Sequence, residues 1–302
     1  MNVTVLTNPA ARAGAHTRAA PEAAERLRSR GIRTTILSGG SAAESTDLLR
    51  TAIDLGTDAV VVAGGDGTVH LAIQELAGTG IPLGIIPAGT GNDLAAAVGL
   101  KELDVAAAAD AIADGGTRAI DLARVTRTDG TTEYFGSVLA SGFDSRVNDR
   151  ANAMRWPRGG SRYNIAILIE FLRLRGIPYE IDLVREDGSP ERIAGDLVMA
   201  TVGNGGTYGG GIPICPDADP GDGVLDVTLV RPAGRIRLLR LLPRVYRGTH
   251  TSIDEVSTYR VRRIRLAAPD VTAYADGDPI GALPLEIDVA RGALTLFAPP
   301  AR

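Results

Sequence analysis

Apolar residues follow two rhythms along the first third of the chain. Short strand-like runs at 3–6, 34–37, 59–62 and 83–86 alternate with stretches in which apolar positions recur every three or four residues. Those stretches, 21–30, 42–55 and 69–76, predict helices, and Pro21 near the start and Gly31 past the end bracket the first of them. Strands alternating with amphipathic helices predict a mostly parallel sheet covered on both faces, with ligands at the carboxyl ends of its strands. After Asp121 the pattern changes. Strands are predicted at 134–140, 179–184, 197–202, 224–230, 259–266 and 285–289, with helices at 162–175 and 235–247. An α/β half is therefore followed by a β-rich half.

Composition sets limits on this picture. A chain of 302 residues with 44% hydrophobic and 23% charged content suits two medium domains. The net charge of -4, with no aromatic and basic stacking platform, argues against a nucleic-acid partner. The single cysteine, Cys215, excludes an internal disulfide and a cysteine-cluster zinc site, and reads as structural. The chain opens directly on a strand rather than a signal sequence, and its longest apolar stretch, 165–172, contains Glu170 and falls far short of the roughly 20 residues that span a bilayer. A cytoplasmic protein is expected, with any membrane contact peripheral, at the inner face. A homodimer is left open.

Chemistry concentrates in glycine turns. Ala63-Gly64-Gly65-Asp66-Gly67-Thr68 joins a strand to a helix start, where backbone N–H groups and the helix dipole favour phosphate. Asp66 would repel a phosphate unless it bridges to Mg²⁺ or has a protonic role. A second turn, Pro87-Ala88-Gly89-Thr90-Gly91-Asn92-Asp93, repeats the arrangement on the neighbouring strand, with Asn92 or Asp93 able to cap the following helix. Either turn alone is a common connection, but two side by side make a cleft. Lys101 is the only lysine and precedes Glu102, so there is no Walker A ending and no kinase-type lysine strand. Phosphate charge must be met by backbone, Mg²⁺ or arginine. A third glycine cluster, 203–211, runs into the acidic segment 216–226, which is either a hard-cation site or a solvated turn.

In their order along nearly the whole chain, these residues resemble the bacterial diacylglycerol kinase family, lipid kinases related to sphingosine and ceramide kinases. The resemblance rests on Asn8-Pro9, Gly64 to Thr68, Pro87 to Asp93, Asp121, Ser141-Gly142-Phe143-Asp144, Asn204 to Gly211, Asp222-Gly223-Val224-Leu225-Asp226 and Asp276-Gly277-Asp278. NAD kinase shares the Gly-Gly-Asp-Gly turn but not the 204–211 and 222–226 segments. The family implies a Rossmann-like nucleotide-binding catalytic domain over residues 1–122, to which 290–302 return through a strand at 294–297. It also implies a two-layered, β-sandwich-like lipid domain over 123–289, with the active site between the two. By the same resemblance, ATP phosphates would be held by Gly64, Gly65, Gly67, Thr68, Gly89, Thr90, Gly91 and Asn92, with Asn8 adding a polar contact. Asp66 and Asp121 would organise Mg²⁺. A second, structural cation would take the Asp222 side chain and the carbonyls of Asp219 and Val224. The substrate would be a lipid, diacylglycerol foremost, presented by a membrane surface, with Asp278 as general base.

Two departures stand out. The family's usual Asp-Gly-Glu reads Asp276-Gly277-Asp278 here, a base shorter by one methylene, and an error near 1 Å can cost about a hundredfold in rate. A kinase of another lipid or small-molecule hydroxyl, or a nucleotide-binding regulatory pseudoenzyme, is the alternative. The first loop lacks the family's Ser-Gly pair, and its Arg12 faces either phosphate or solvent. Elsewhere, Arg237, Arg240, Arg244 and Arg247 alternate with Leu238, Leu241, Leu242 and Val245, which is a basic amphipathic helix suited either to an anionic membrane or to core packing. Arg173 and Arg175 extend the basic patch. His70 is expected to pack or face solvent, and Trp156 to anchor a loop.

Overall fold

Val60, Val61 and Val62 are all fully buried, although their side chains alternate between the two faces of one strand. Only a central strand covered on both sides accounts for that. The computed structural model describes residues 1–7, 18–154, 156 and 160–298, with the side chains of 160, 161, 164, 241 and 242 outside the description. Its first half runs β1 (Asn2–Thr7), α1 (Ala19–Ser29), β2 (Arg33–Ser38), α2 (Ala42–Asp54), β3 (Ala59–Gly64), α3 (Asp66–Leu76), β4 (Leu83–Pro87), α4 (Asp93–Ala97), α5 (Val105–Ala113) and β5 (Thr117–Arg127). Strands β2, β1, β3 and β4 lie side by side in parallel. Val60 and Val62 pack with Leu49 of α2 and Ile73 of α3, whereas Val61 and Ala63 pack with Ala23 of α1 and Ala109 of α5. The alanines of α1 and α5 let these helices approach closely, and Arg26 and Arg30 bind Asp110 across them.

The second half comprises β6 (Thr132–Phe135), β7 (Val138–Gly142), α6 (Phe143–Ala153), α7 (Gly160–Leu172), β8 (Ile177–Arg185), β9 (Pro190–Leu197), β10 (Met199–Gly203), β11 (Leu225–Val230), α8 (Arg235–Tyr246), β12 (Val256–Ala267), β13 (Thr272–Ala275), β14 (Asp278–Ala282) and β15 (Leu285–Phe297). An antiparallel run β14-β13-β7-β10-β11-β12 forms its frame, and β12 also pairs with β8, which carries β9. Leu139, Tyr179, Val227, Ile264 and Ile287 meet in the enclosed core.

Two strand predictions are corrected by the structure. The run at 134–140 is two strands, broken at Gly136 and Ser137, whose N–H groups are turned to the Asp276 carboxylate. The runs at 285–289 and 294–297 are one strand, β15, with an irregularity after Ala290. The first part of β15 pairs with β12 and β5; its end pairs with β5 and lies parallel to β4, with Leu296 beside Leu83. This strand makes the sheet continuous between the two halves and brings the turn before β14 toward the glycine loops.

Candidate active site

The two glycine turns touch backbone to backbone. A Cβ on Gly89 would stand 2.4 Å from the Cα of Gly65, and one on Gly91 would stand 2.2 Å from the Asp66 carboxylate. Glycine is required at these two positions by close approach. Asn92 holds a left-handed backbone (φ 56°) and closes its own loop, its side chain accepting from Gly89 N–H and donating to the Gly89 carbonyl, both at 3.0 Å. Asp66 supplies the staple between the turns: its carboxylate accepts the N–H groups of Asn92 at 2.9 Å and Asp93 at 2.6 Å, at the start of α4. Burial raises its pKa, although those N–H groups oppose the rise.

A wall from the second half faces these turns. The 203–211 segment docks on Asp93, whose carboxylate accepts the Thr207 hydroxyl and the Gly210 N–H, both at 3.1 Å. Buried Asn204 donates to the carbonyls of Asp121 and Gly136, each at 2.9 Å, and Tyr208 donates its hydroxyl to Asp144 at 2.8 Å. Asp276, at φ 51°, accepts Gly136 and Ser137 N–H at 2.9 Å and meets His70 Nδ1 at 3.2 Å. Two residues on, the Asp278 carboxylate faces the start of α3, with Oδ2 3.8 Å from where a Gly67 Cβ would be. Burial raises the Asp278 pKa, opposed by the charge of His70 and reinforced by Asp276. Burial acts to lower the His70 pKa, but the hydrogen bond and charge of Asp276, with Asp278, leave it raised.

The structure thus brings together Gly64, Gly65, Asp66, Gly67, Thr68, Gly89, Gly91, Asn92 and Asp278, with the Thr90 carbonyl beside Gly210. Asn8 and Arg12 lie outside the described residues. Asp121 is buried, and its two carboxylate oxygens accept the N–H groups of Gly223 and Gly292, each at 2.7 Å, so it pins the 222–226 turn to β15. Of the residues expected to hold a structural cation, Asp222 accepts the Arg260 guanidinium at 2.7 Å and the Val224 N–H at 3.1 Å, and the Asp219 carbonyl accepts the Asp222 N–H at 3.3 Å.

Sequence reasoning gave His70 too small a role and named Asp93 only as a helix cap. The spacing of His70, four residues after Asp66 and hence on the same face of α3, was the available signal. Trp156 is 80% exposed. Cys215 is buried, its thiol pushed up to about 12 by desolvation, in keeping with a structural residue.

Comparison with known proteins converges on one family. Residues 2–125 match the diacylglycerol kinase catalytic domain, and residues 137–298 match the YegS C-terminal NAD kinase beta sandwich-like domain. A diacylglycerol kinase of Mycobacterium tuberculosis is 49% identical over 98% of this chain and 95% of its own length. A probable lipid kinase, YegS-like, of Stenotrophomonas maltophilia is 31% identical over 82% of this chain and 81% of its own. The crystal structure of a diacylglycerol kinase from Bacillus anthracis shares the fold, with a TM-score of 0.71 at 20% identity over 99% of this chain and 97% of that one.

Proposed function

The chain belongs to the diacylglycerol kinase catalytic-domain family of lipid kinases, and from that premise we propose that it transfers the γ-phosphate of ATP to the free hydroxyl of diacylglycerol, giving phosphatidic acid. The observation that carries the reading is the Asp278 carboxylate facing Gly67 across the cleft, a base opposite a phosphate cradle. In this reading residues 1–122 with 290–302 form the nucleotide-binding unit and 123–289 the lipid unit. N–H groups of the two glycine turns and the start of α3 receive the ATP phosphates. Asp278 accepts the hydroxyl proton as the lipid oxygen bonds to the γ-phosphorus in line and the bond to the ADP oxygen breaks. Its raised pKa makes it a better proton acceptor than a solvated aspartate, and the His70 charge acts against that rise.

The residues suit Mg²⁺. Asp66, Asp93 and Asp278 offer hard oxygen donors, yet Asp66 and Asp93 already accept protein N–H or O–H groups. Among the described residues no three acidic, His or Cys side chains form a metal cage. A Mg²⁺ held by one or two carboxylates, phosphate oxygens and water fits this donor set. When bound, it supplies counter-charge to the phosphates.

Transfer of labelled phosphate from ATP to diacylglycerol in mixed micelles tests the assignment. Turnover should fall by roughly a thousandfold in Asp278→Asn. Protein that binds ATP yet phosphorylates no lipid in a panel of diacylglycerol, sphingoid base and phosphatidylglycerol would refute it in favour of a regulatory pseudoenzyme.

A further inference from the structure

The break between β6 and β7 is a junction where the two sides of the cleft meet. A Cβ on Gly136 would stand 2.9 Å from Leu94 Cδ2 of α4 and 3.2 Å from Ile73 Cδ1 of α3, so this residue presses on both helices that open at the glycine turns. From one side the Asp276 carboxylate accepts the N–H groups of Gly136 and Ser137. From the other, the 203–211 segment donates to the carbonyls of the same two residues. Asn204 Nδ2 meets that of Gly136 at 2.9 Å, and the N–H groups of Asn204 and Gly205 meet that of Ser137, both at 2.8 Å. Every backbone polar group of Gly136 and Ser137 is therefore engaged.

Asn204 does more than close a turn. It is buried, and its Nδ2 donates to carbonyls from both halves of the chain, Asp121 of β5 and Gly136. Its Oδ1, also buried, accepts no hydrogen bond among the described residues. Turning the amide over would set that oxygen against two carbonyls, so the two acceptors fix how it lies. An unpaired buried acceptor opposes folding, and what the chain gains in exchange is the alignment of the two halves. Further along, the same segment is seated on the glycine-turn side. Thr207 and Gly210 donate to the Asp93 carboxylate, beside the N–H groups that Asp66 staples, and a Cβ on Gly205 would lie 3.1 Å from the Cβ of Ala97 in α4.

We propose that residues 204–210 are a strap that sets the separation of the base from the phosphate cradle, with Asn204 as its positioning residue. The proposal rests on the kinase reading and adds to it what holds Asp278 in register. One end of the strap is fastened at Asp93, and the other holds the carbonyls of Gly136 and Ser137, whose N–H groups orient Asp276 two residues before the base. Asn204 acts through the base. An error near 1 Å at the reacting groups can cost about a hundredfold in rate, and the short arm of Asp278 has little reach with which to absorb it.

Phosphotransfer, ATP affinity and amide exchange of the full chain test this together. In Asn204→Ala, kcat should fall about a hundredfold with ATP affinity by calorimetry unchanged, and the Gly136 and Ser137 amides should exchange faster. The same substitution placed on Asp278→Asn should cost no further rate, because the group through which it acts is already gone. Thr207→Val covers the case in which Asn204→Ala does not fold, since Thr207 is only partly buried. It should lose rate severalfold, and Thr207→Ser, which keeps the hydroxyl, should recover it. Losses that add in the double variant, or a Thr207→Ser as slow as Thr207→Val, overturn the proposal and reduce the strap to a structural turn. So does unchanged amide exchange in Asn204→Ala. Faster exchange there, in a chain that phosphorylates no lipid, removes the kinase reading while the strap's hold on the Asp276 loop stands.

Discussion

The two sides of the cleft are built on different principles. On the glycine side, Asp66 is held by two N–H groups, Asn92 closes on Gly89, and Gly65 and Gly89 are in backbone contact. Little there can move without breaking a neighbour. Opposite, Asp276 is held by two N–H groups and His70, and it carries Asp278, which has a short side chain and lies near a titratable charge. In the proposed reading, phosphate recognition rests on backbone geometry, and proton chemistry on side chains whose electrostatics can be adjusted. Substitutions on the glycine side should therefore be felt as stability and nucleotide affinity, and those at the base as rate.

The sharpest test of that division is Asp278→Asn. Loss of a general base costs about 10²–10⁴ in rate, so kcat should fall by roughly a thousandfold while Tm and ATP affinity stay within error. A parallel loss of ATP binding would show that the base side also builds the cradle. Asp278→Glu bears on the shortened arm: a large gain in kcat marks an impaired site and a loss marks an adapted one. Asp121→Ala should behave in the opposite way. It strands the buried N–H of Gly223, at about 1–3 kcal/mol, and releases the N–H of exposed Gly292. A loss of about 1–3 kcal/mol in denaturant unfolding is expected, with kcat little changed in the protein that remains folded. An intact midpoint with vanished activity would return Asp121 to the chemistry. Gly89→Ala comes next, because its Cβ meets the Gly65 backbone, which has no flexible end to yield. About 1–3 kcal/mol of destabilisation should come with weaker ATP binding by calorimetry.

The same contrast explains what could be read in the sequence. Strands β1, β3 and β4 are almost wholly buried, so they appear as apolar runs, and the turns after β3 and β4 announce themselves by glycine. In the second half, β9 is largely exposed and carries charges, β14 contains Pro279 and Gly281, and α6 buries only Ser145, Val147 and Ala151. None has a period to detect. Asp278 came into view through family resemblance, since its two-residue separation from Asp276 says nothing about which half of the molecule it faces. Asp121 came into view by the same route, and its hydrogen bonds tie a turn to β15. The partnership of His70 with Asp276 spans 206 positions, and only the continuity of β15 through both halves brings them together.

The smallest expected effect is at His70, and its sign is fixed by the charges around it. Burial acts to lower its pKa, but Asp276 and Asp278 leave it raised above the usual 6.5, and its positive charge acts to lower the pKa of Asp278. In His70→Gln this opposition to burial disappears and the pKa of Asp278 rises further. The acid limb of the kcat/KM profile should shift to higher pH, a severalfold loss at mildly acid pH that closes as pH increases. Stability has its own signature. A histidine with a raised folded-state pKa stabilises fully below its unfolded value, and that contribution fades as pH climbs through the folded value. Wild type should therefore exceed His70→Gln in Tm below about pH 6.5, with the gap narrowing in mild alkali. A pH-independent loss in both measurements would reduce His70 to packing, leaving Asp278 to be tuned by Asp276 and burial alone.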